Sequence, residues 1–220
     1  MPSLQQRRER LERAHLYLVA DAGLSDAALR AALAGGVDMV QLRDRSLDDA
    51  ELLHVAERFR GACDEHDALL WINNRPDLAL AANADGVHVG QEDLDVDQAR
   101  AASGGELLVG LSTHSPEQLD AGIAAGADQL SVGPVWETPT KPGRPAAGLG
   151  YVAHAAKRRP PVPWFAIGGI DSGNVGEVVA AGAQRIVVVR AITAAADTGA
   201  AAAELTAALQ GGRTVDAAAQ

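Results

Sequence analysis

Eight short apolar runs alternate with longer amphipathic stretches along this chain, and no other feature of the sequence restricts the fold as strongly. Strand and helix signals that alternate in this way are typical of strand–helix units around a parallel sheet. Each run is apolar at nearly every position, which indicates strands buried on both faces. The predicted strands are approximately residues 16–20, 38–42, 69–72, 86–89, 107–110, 129–132, 164–167 and 185–189.

One phrase, in which a helix end and glycine lead into a strand, occurs three times. It reads AGGVDMVQLR from Ala34, AGADQLSVG from Ala125 and AGAQRIVVV from Ala181. Glycine at such a position can take the left-handed backbone conformation that ends a helix. Between the strands, residues of the capping type predict helix starts at Ser25, Asp48, Ser115 and Asn174.

Eight units of this kind close naturally into a barrel. The predicted fold class is therefore α/β, a single-domain eight-stranded β/α (TIM) barrel, with an open doubly wound sheet as the alternative. A length of 220 residues suits one domain, and a hydrophobic share of 47% excludes disorder. We expect an N-terminal extension at residues 1–14, the catalytic barrel at residues 15–210 and a flexible C-terminal tail at residues 211–220.

The formal net charge of -10 argues against nucleic acid and anionic membranes as partners, because both attract basic surfaces. An anionic ligand would need a local cluster of cations. The only cysteine, Cys63, can form no internal disulfide, and the chain has no apolar run of the length that spans a bilayer. We expect a cytoplasmic protein that acts on small molecules. The sequence is compatible with a homo-oligomer but does not fix the oligomeric state.

In a β/α barrel the active site lies at the carboxyl ends of the strands, so the residues after each apolar run are the informative ones. After the second run, Gln41, Arg43 and Arg45 face the same side, because side chains alternate along a strand. One amide and two cations on one face suit an anionic ligand. The alternative is a strand end with solvated charges.

Oxygen-bearing side chains follow the third and fourth runs, at Asn73–Asn74 and Asp93. Such oxygens are ligands that a hard cation such as magnesium prefers, although helix caps are the alternative interpretation. After the fifth run, Ser112 is a candidate site residue because it lies near the strand tip, whereas His114 is expected to be solvated.

The longest connection follows the sixth run, over residues 133–148, and a loop of this length is typically a lid or a binding loop. It carries hydroxyls and cations that suit phosphate, although a stiff surface loop is the alternative. The seventh run ends in Gly168–Gly169 and the eighth in Val189–Arg190. Loops at these two positions form the recurrent phosphate site of β/α barrels, and glycine lets backbone N–H groups approach an anion.

Six motifs occur in a fixed order along the chain, and together they are highly specific. They are QLRDR at residues 41–45, GVHVGQEDL at 86–94, GLSTHS at 110–115, VGPVWETPTKPG at 132–143, and AIGGI with VVVRAI at 166–170 and 187–192. In these motifs the chain resembles the thiamine-phosphate synthases over nearly its whole length.

The resemblance implies two sets of substrate contacts. Those to a pyrimidine pyrophosphate are Gln41, Arg43, Arg45, Asn73, Ser112 and Lys141. Those to a thiazole phosphate are Thr138, Pro139, Thr140, Gly169, Val189 and Arg190. Within these sets the expected catalytic residues are Arg43, Ser112 and Lys141.

The resemblance also implies a magnesium ion held by the residues at positions 74 and 93. Asp93 matches the family pattern, whereas Asn74 stands where the family usually has aspartate. Arg45 replaces the usual lysine, which keeps the charge but changes the donor geometry. We therefore expect a magnesium enzyme with one neutral ligand.

The implied reaction is a transfer of the pyrimidine methylene group to the thiazole nitrogen, with pyrophosphate leaving first and no protein nucleophile. It yields thiamine phosphate. One alternative is a thiazole tautomerase-like isomerase, a family with a catalytic histidine just after the sixth strand, where this chain has Pro134. Another is a non-catalytic phosphate-binding barrel that has lost its metal.

Overall fold

Eight parallel strands form a closed barrel in the order of the sequence, so the predicted barrel is confirmed and the open sheet is excluded. A computed structural model describes the chain at residues 2–138, 143 and 145–217, with the backbone alone for residues 212–217. The strands are β1 (Leu16–Ala20), β2 (Met39–Leu42), β3 (Leu69–Asn73), β4 (Gly86–Val89), β5 (Leu108–Thr113), β6 (Gln129–Val132), β7 (Trp164–Ile167) and β8 (Ile186–Val188).

Helices connect the strands and surround the barrel. In the described part of the chain they are α1 (Leu4–Arg13), α2 (Asp26–Ala34), α3 (Asp49–Glu65), α4 (Pro76–Ala81), α5 (Val96–Ala102), α6 (Pro116–Ala124), α7 (Gly148–Arg158), α8 (Val175–Ala180), α9 (Arg190–Thr193) and α10 (Thr198–Ala217). Ser25, Asp48 and Ser115 cap α2, α3 and α6 as predicted. Asn174 precedes α8, but its side chain makes no capping bond to that helix.

The fifth strand is longer than the sequence indicates. Its apolar run ends near Gly110, yet pairing with β6 continues to Thr113, where Ser112 lies opposite Ser131. The Thr113 hydroxyl also donates to the backbone oxygen of Ser131 at 3.0 Å. Ser112 is therefore part of the strand and not of the following loop, which fixes its side chain more firmly than a loop would.

Side chains that point into the barrel form a cluster separate from the one between strands and helices. Its largest members are Tyr17, Trp71 and Phe165, all fully buried. Two neighbouring strands carry glycine beside the Trp71 indole, because a Cβ on Gly86 or Gly110 would lie 2.9 Å from its ring atoms. Because these two strands carry glycine there, the Trp71 indole fits inside the barrel.

Aspartates at the opposite, amino-terminal rim fasten β2, β4 and β6 to the strand before each of them. Asp38, Asp85 and Asp128 each accept a hydrogen bond from a backbone N–H at the start of the preceding strand, at 2.9, 2.8 and 2.9 Å. Two of these residues belong to the repeated phrase, which explains why it places aspartate just before a strand. In its third copy Arg185 takes this place and donates to the backbone oxygen of Ala14.

The two ends of the chain are helical where the structure describes them. Leu11 and Ala14, at and just after the end of α1, are buried in the same cluster as the barrel interior. The backbone of residues 211–217 belongs to α10, whereas the sequence predicts a flexible tail from residue 211. The proposed division into extension, barrel and tail stays a prediction. Over the described ranges, no helix is both long and apolar enough to cross a membrane.

Candidate active site

Two adjoining cavities open at the carboxyl-terminal end of the barrel. The larger has a volume of about 360 Å³ and the smaller about 70 Å³. Four residues line both cavities, namely Ser112, Ile167, Val187 and Val189. The two spaces therefore meet at a mostly apolar wall with one hydroxyl in it.

The smaller cavity brings together one amide and two cations from β2 and the loop that follows it. Gln41, Arg43 and Arg45 all line it, as their alternation along the strand predicts. Between them, the Asp44 carboxylate turns away and accepts hydrogen bonds from the backbone of Ala22 and Ser46. This contact holds the loop so that both guanidinium groups face the cavity.

The charge balance in this cavity favours an anion. Burial and the nearby charge of Arg45 lower the pKa of the Arg43 guanidinium, while the charge of Asp93 opposes this change. Two cations close together are poorly compensated by one carboxylate. A phosphate group would relieve their repulsion through charge-assisted hydrogen bonds.

Gln41 is oriented by Tyr17, a partner that its own strand does not supply. Its Nε2 donates to the Tyr17 hydroxyl at 2.6 Å, inside the barrel. Burial raises the pKa of that hydroxyl well above its ordinary value, so it stays protonated. Because the Gln41 nitrogen is held in this way, its carbonyl oxygen is the atom left to accept a hydrogen bond from a ligand.

The two predicted metal ligands are in direct contact. Asn74 Nδ2 donates to Asp93 Oδ1 at 2.6 Å, and the backbone N–H of Gly90 donates to Asp93 Oδ2 at 2.8 Å. Neither side chain caps a helix, since α4 has Arg75 at its N-cap and α5 has Asp95. The capping interpretation of positions 74 and 93 is therefore wrong.

A buried polar network lies beneath Ser112. His88 Nε2 is 2.9 Å from Ser112 Oγ, and His88 Nδ1 is 3.1 Å from Gln129 Oε1. Gln129 Nε2 in turn donates to Ser131 Oγ at 3.0 Å. Sequence reasoning missed His88, Gln129 and Ser131 because it considered only strand ends. Their signal was polar side chains at alternate positions within otherwise apolar strands.

The larger cavity contains the glycine turn after β7. Gly168 and Gly169 have φ angles of 109° and 69°, in the region that favours glycine. Asn174, predicted only as a helix start, donates from Nδ2 to the backbone oxygen of Gly169 at 2.8 Å and so holds the turn. Arg190 lines the same cavity. The turn and the guanidinium together offer a place for a second anion.

His114 was expected to be solvated, and this expectation is wrong. The side chain is half-buried at the edge of the larger cavity, with Nδ1 2.6 Å from the backbone oxygen of Gly133. A carbonyl oxygen only accepts, so Nδ1 carries the proton. His114 thereby links the end of β5 to the start of the long loop after β6.

The comparison with known families is decisive. Residues 16–192 match the model of the family described as Thiamine monophosphate synthase. The chain belongs to this family. The expected activity, that of a thiamine-phosphate synthase and hence of a transferase, is confirmed.

Relatives and solved structures agree with this family assignment. The chain is 56% identical over 203 residues to the thiamine-phosphate synthase of Thermobifida fusca, an alignment that covers 90% of this chain and 93% of that protein. It is 51% identical over 201 residues to the one from Acidothermus cellulolyticus, covering 89% of this chain and 95% of that protein. A structure named thiamine phosphate pyrophosphorylase from Pyrococcus furiosus has a TM-score of 0.83 at 31% identity, covering 93% of this chain and 98% of that one.

Part of the site expected for a thiamine-phosphate synthase lies outside the described residues. This applies to Pro139, Thr140 and Lys141. Thr138 is the last described residue before them and lines the larger cavity. Every other predicted site residue lines one of the two cavities. The placement of Lys141 against a leaving group stays a prediction.

Proposed function

We propose that this chain joins 4-amino-2-methyl-5-(diphosphooxymethyl)pyrimidine to 4-methyl-5-(2-phosphooxyethyl)thiazole, giving thiamine phosphate and pyrophosphate. The observation that carries this proposal is the pair of adjoining cavities, each with its own anion-binding groups, which meet at Ser112. A transfer between two phosphorylated substrates requires such an arrangement. The pyrimidine methylene carbon and the thiazole nitrogen must lie near the shared wall, with the two anionic groups apart.

The smaller cavity suits the pyrimidine diphosphate. Arg43 and Arg45 would bind the diphosphate, and Gln41, Asn73 and Ser112 offer neutral polar atoms to the ring. The larger cavity suits the thiazole phosphate, which the turn at Gly169 and the Arg190 guanidinium would bind. Val189 lines both spaces and would lie between the two rings.

The residues of the chain would act by stabilising the leaving group and excluding water. Arg43 and Arg45, with Lys141 from the loop, would oppose the charge that develops on the departing pyrophosphate. The apolar side chains of Ile167, Val187 and Val189 would keep water from the cationic pyrimidine carbon before the thiazole nitrogen attacks. No step in this scheme needs a nucleophile from the protein.

The donor set at positions 74 and 93 fits magnesium that arrives with the diphosphate. Among the residues described, no three His, Cys, Asp or Glu side chains gather into a metal cage. Magnesium commonly uses one or two protein ligands and fills its shell with phosphate oxygens and waters. Asp93 would supply a carboxylate oxygen, and Asn74 its carbonyl oxygen once the amide no longer donates to Asp93. Bound there, magnesium would supply counter-charge to the leaving pyrophosphate.

The test is formation of thiamine phosphate from the two purified substrates, with and without magnesium. Arg43→Ala and Lys141→Ala should each slow turnover by about 100-fold or more, because each removes a cation facing the leaving group. Arg30→Ala is a matched control, since Arg30 pairs with Glu65 on the outer surface. Near wild-type turnover in both site variants at saturating substrates would contradict the site assignment.

The isomerase alternative is not carried forward, because the relatives of highest identity described above bear the name of the transferase. Pro134 lines the larger cavity at the place where that family has histidine. A non-catalytic barrel would bind both substrates in the same assay without forming product.

We further propose a cytoplasmic location, supported by the acidic composition and the single cysteine. Light scattering on the purified protein would determine whether it forms a homo-oligomer.

A further inference from the structure

Three side chains beneath Ser112 form a continuous chain of hydrogen bonds. It runs from Ser131 through Gln129 and His88 to the Ser112 hydroxyl, with distances of 3.0, 3.1 and 2.9 Å. Gln129 and Ser131 are at most 1% exposed and His88 is 6% exposed. Because these groups are buried, water can replace few of the partners, and each donor must meet an acceptor.

The direction of every proton in this chain follows from the chemistry of its members. The Gln129 nitrogen donates to Ser131, so the Gln129 carbonyl oxygen is the atom that faces His88 Nδ1. A carbonyl oxygen only accepts, and Nδ1 must therefore carry the proton. Both ring nitrogens face neutral groups, an amide and a hydroxyl, and the cations Arg43 and Arg45 line the same cavity, so we infer the neutral imidazole. Nε2 is then a lone pair, so the Ser112 hydroxyl donates to it.

The fold leaves room for this chain at one glycine. A Cβ on Gly110 would lie 2.5 Å from Gln129 Oε1 and 2.7 Å from His88 Nδ1. Any other residue at this position of β5 would force the two partners apart. The absence of a side chain on Gly110 is thus a condition for the contact between Gln129 and His88.

We propose that His88 and Gln129 are positioning residues that fix the Ser112 hydroxyl as a hydrogen-bond acceptor toward the cavity. Since the single hydroxyl proton is used on His88, the groups that Ser112 can bind are donors. On the proposed function, from which this inference takes the ligand, that donor is the amino group of the pyrimidine. The network therefore selects a ring with an amino group over one with a carbonyl at the same position.

The experiment measures this selectivity by binding. The probes are two pyrimidine methyl monophosphates that differ only in an amino or an oxo group on the ring, and calorimetry gives their dissociation constants. In Gln129→Met the proton of His88 can move to Nε2, so that Ser112 turns its own proton to the cavity. The preference for the amino probe should fall by about tenfold or more, because a buried mismatch of donors costs at least that factor.

His88→Gln is the conservative variant. Its NH₂ group can donate to Gln129 and its carbonyl oxygen can accept from Ser112, so the wild-type preference should largely return. His88→Met lacks both atoms and should behave like Gln129→Met. In the same variants the KM for the pyrimidine substrate should rise while the KM for the thiazole phosphate changes little, a split that general loosening of the fold would not produce.

Ser112→Ala tests whether the hydroxyl itself carries the preference for the amino probe. If the preference for the amino probe falls in Ser112→Ala but stays at the wild-type value in Gln129→Met and His88→Met, the positioning role is overturned. It is also overturned if Ser112→Ala leaves the preference unchanged. Failure of the wild-type protein to form thiamine phosphate would instead overturn the proposed function, because the binding ratios do not depend on turnover.

Discussion

Replacing Asn74 by aspartate would put two carboxylates in contact. In the structure the Asn74 amide donates to the Asp93 carboxylate at 2.6 Å, a hydrogen bond assisted by the charge of its acceptor. Asn74→Asp removes the donor and adds a like charge. Asn74 has a φ angle of 62°, a conformation that aspartate also tolerates, so the backbone should not be strained.

The size of the effect follows from the charge separation. Two unit charges about 4 Å apart repel by about 4 kcal/mol at an effective dielectric of 20 and by about 1 kcal/mol in bulk water. Asp93 is exposed, so screening places the value toward the lower figure. A divalent ion between the carboxylates would convert this repulsion into attraction. We expect magnesium to bind Asn74→Asp roughly tenfold more tightly, equivalent to about 1.4 kcal/mol.

Asn74→Asp should lower the stability of the metal-free protein but raise its affinity for magnesium, and each effect can be measured. Without magnesium, Asn74→Asp should unfold at a lower temperature than the wild-type protein, and magnesium with inorganic pyrophosphate should restore it more than it stabilises the wild type. In turnover assays the magnesium concentration at half-maximal rate should fall about tenfold, while Asp93→Asn should raise it.

Asn83→Asp is the matched control, because Asn83 is also left-handed, with φ 51°, and lines neither of the two cavities. It should change neither the magnesium midpoint nor the magnesium-dependent stabilisation. An unchanged or higher midpoint in Asn74→Asp would show that position 74 is not a metal ligand.

Two further predictions concern the glycine turn and a buried tyrosine. Gly169→Ala should raise the KM for the thiazole phosphate about tenfold without affecting the pyrimidine, because its Cβ would lie 2.9 Å from Trp136 Cβ beside the proposed phosphate site; Gly126→Ala has a similar φ with open space around it and controls for backbone strain. Burial raises the pKa of Tyr151 from 10.0 to about 12. The protonated phenol therefore contributes its full share to the free energy of unfolding below pH 10, and this share is lost as the pH rises toward 12. Urea unfolding between these values should show a shallower decline in Tyr151→Phe, and an equal decline would contradict this assignment.

The barrel could be predicted because its signal is repeated. Each apolar run marks a strand buried on both faces, and the glycine phrase marks the helix end before it. The end of β5 was missed because Ser112 and Thr113 are polar, although pairing with β6 keeps them in the strand. Hydropathy identifies buried apolar residues. It does not identify a buried polar residue whose hydrogen-bond partners are buried with it.

The site was predicted where it depends on strand alternation and missed where it depends on contacts between strands. Gln41, Arg43 and Arg45 share a face because of their spacing alone. The contact of His88 with Gln129 joins β4 to β6 past Gly110, and no spacing within one segment indicates it. His114 was judged solvated because the carbonyl of Gly133 that binds it lies on another loop.

The aspartates of the amino-terminal rim join three strand pairs, β1–β2, β3–β4 and β5–β6, through contacts that are local in sequence. Their contacts to Leu16, Leu70 and Val109 span 22, 15 and 19 residues, whereas the corresponding contact of Arg185 with Ala14 spans 171. The entropic cost of closing a loop grows with the logarithm of its length. Closing the loop from Ala14 to Arg185 therefore costs about 2 kcal/mol more free energy than closing each of the shorter ones. Contacts between residues close in sequence favour fast formation of these three pairs. Pairing of β8 with β1 carries the largest entropic cost of loop closure among the contacts compared.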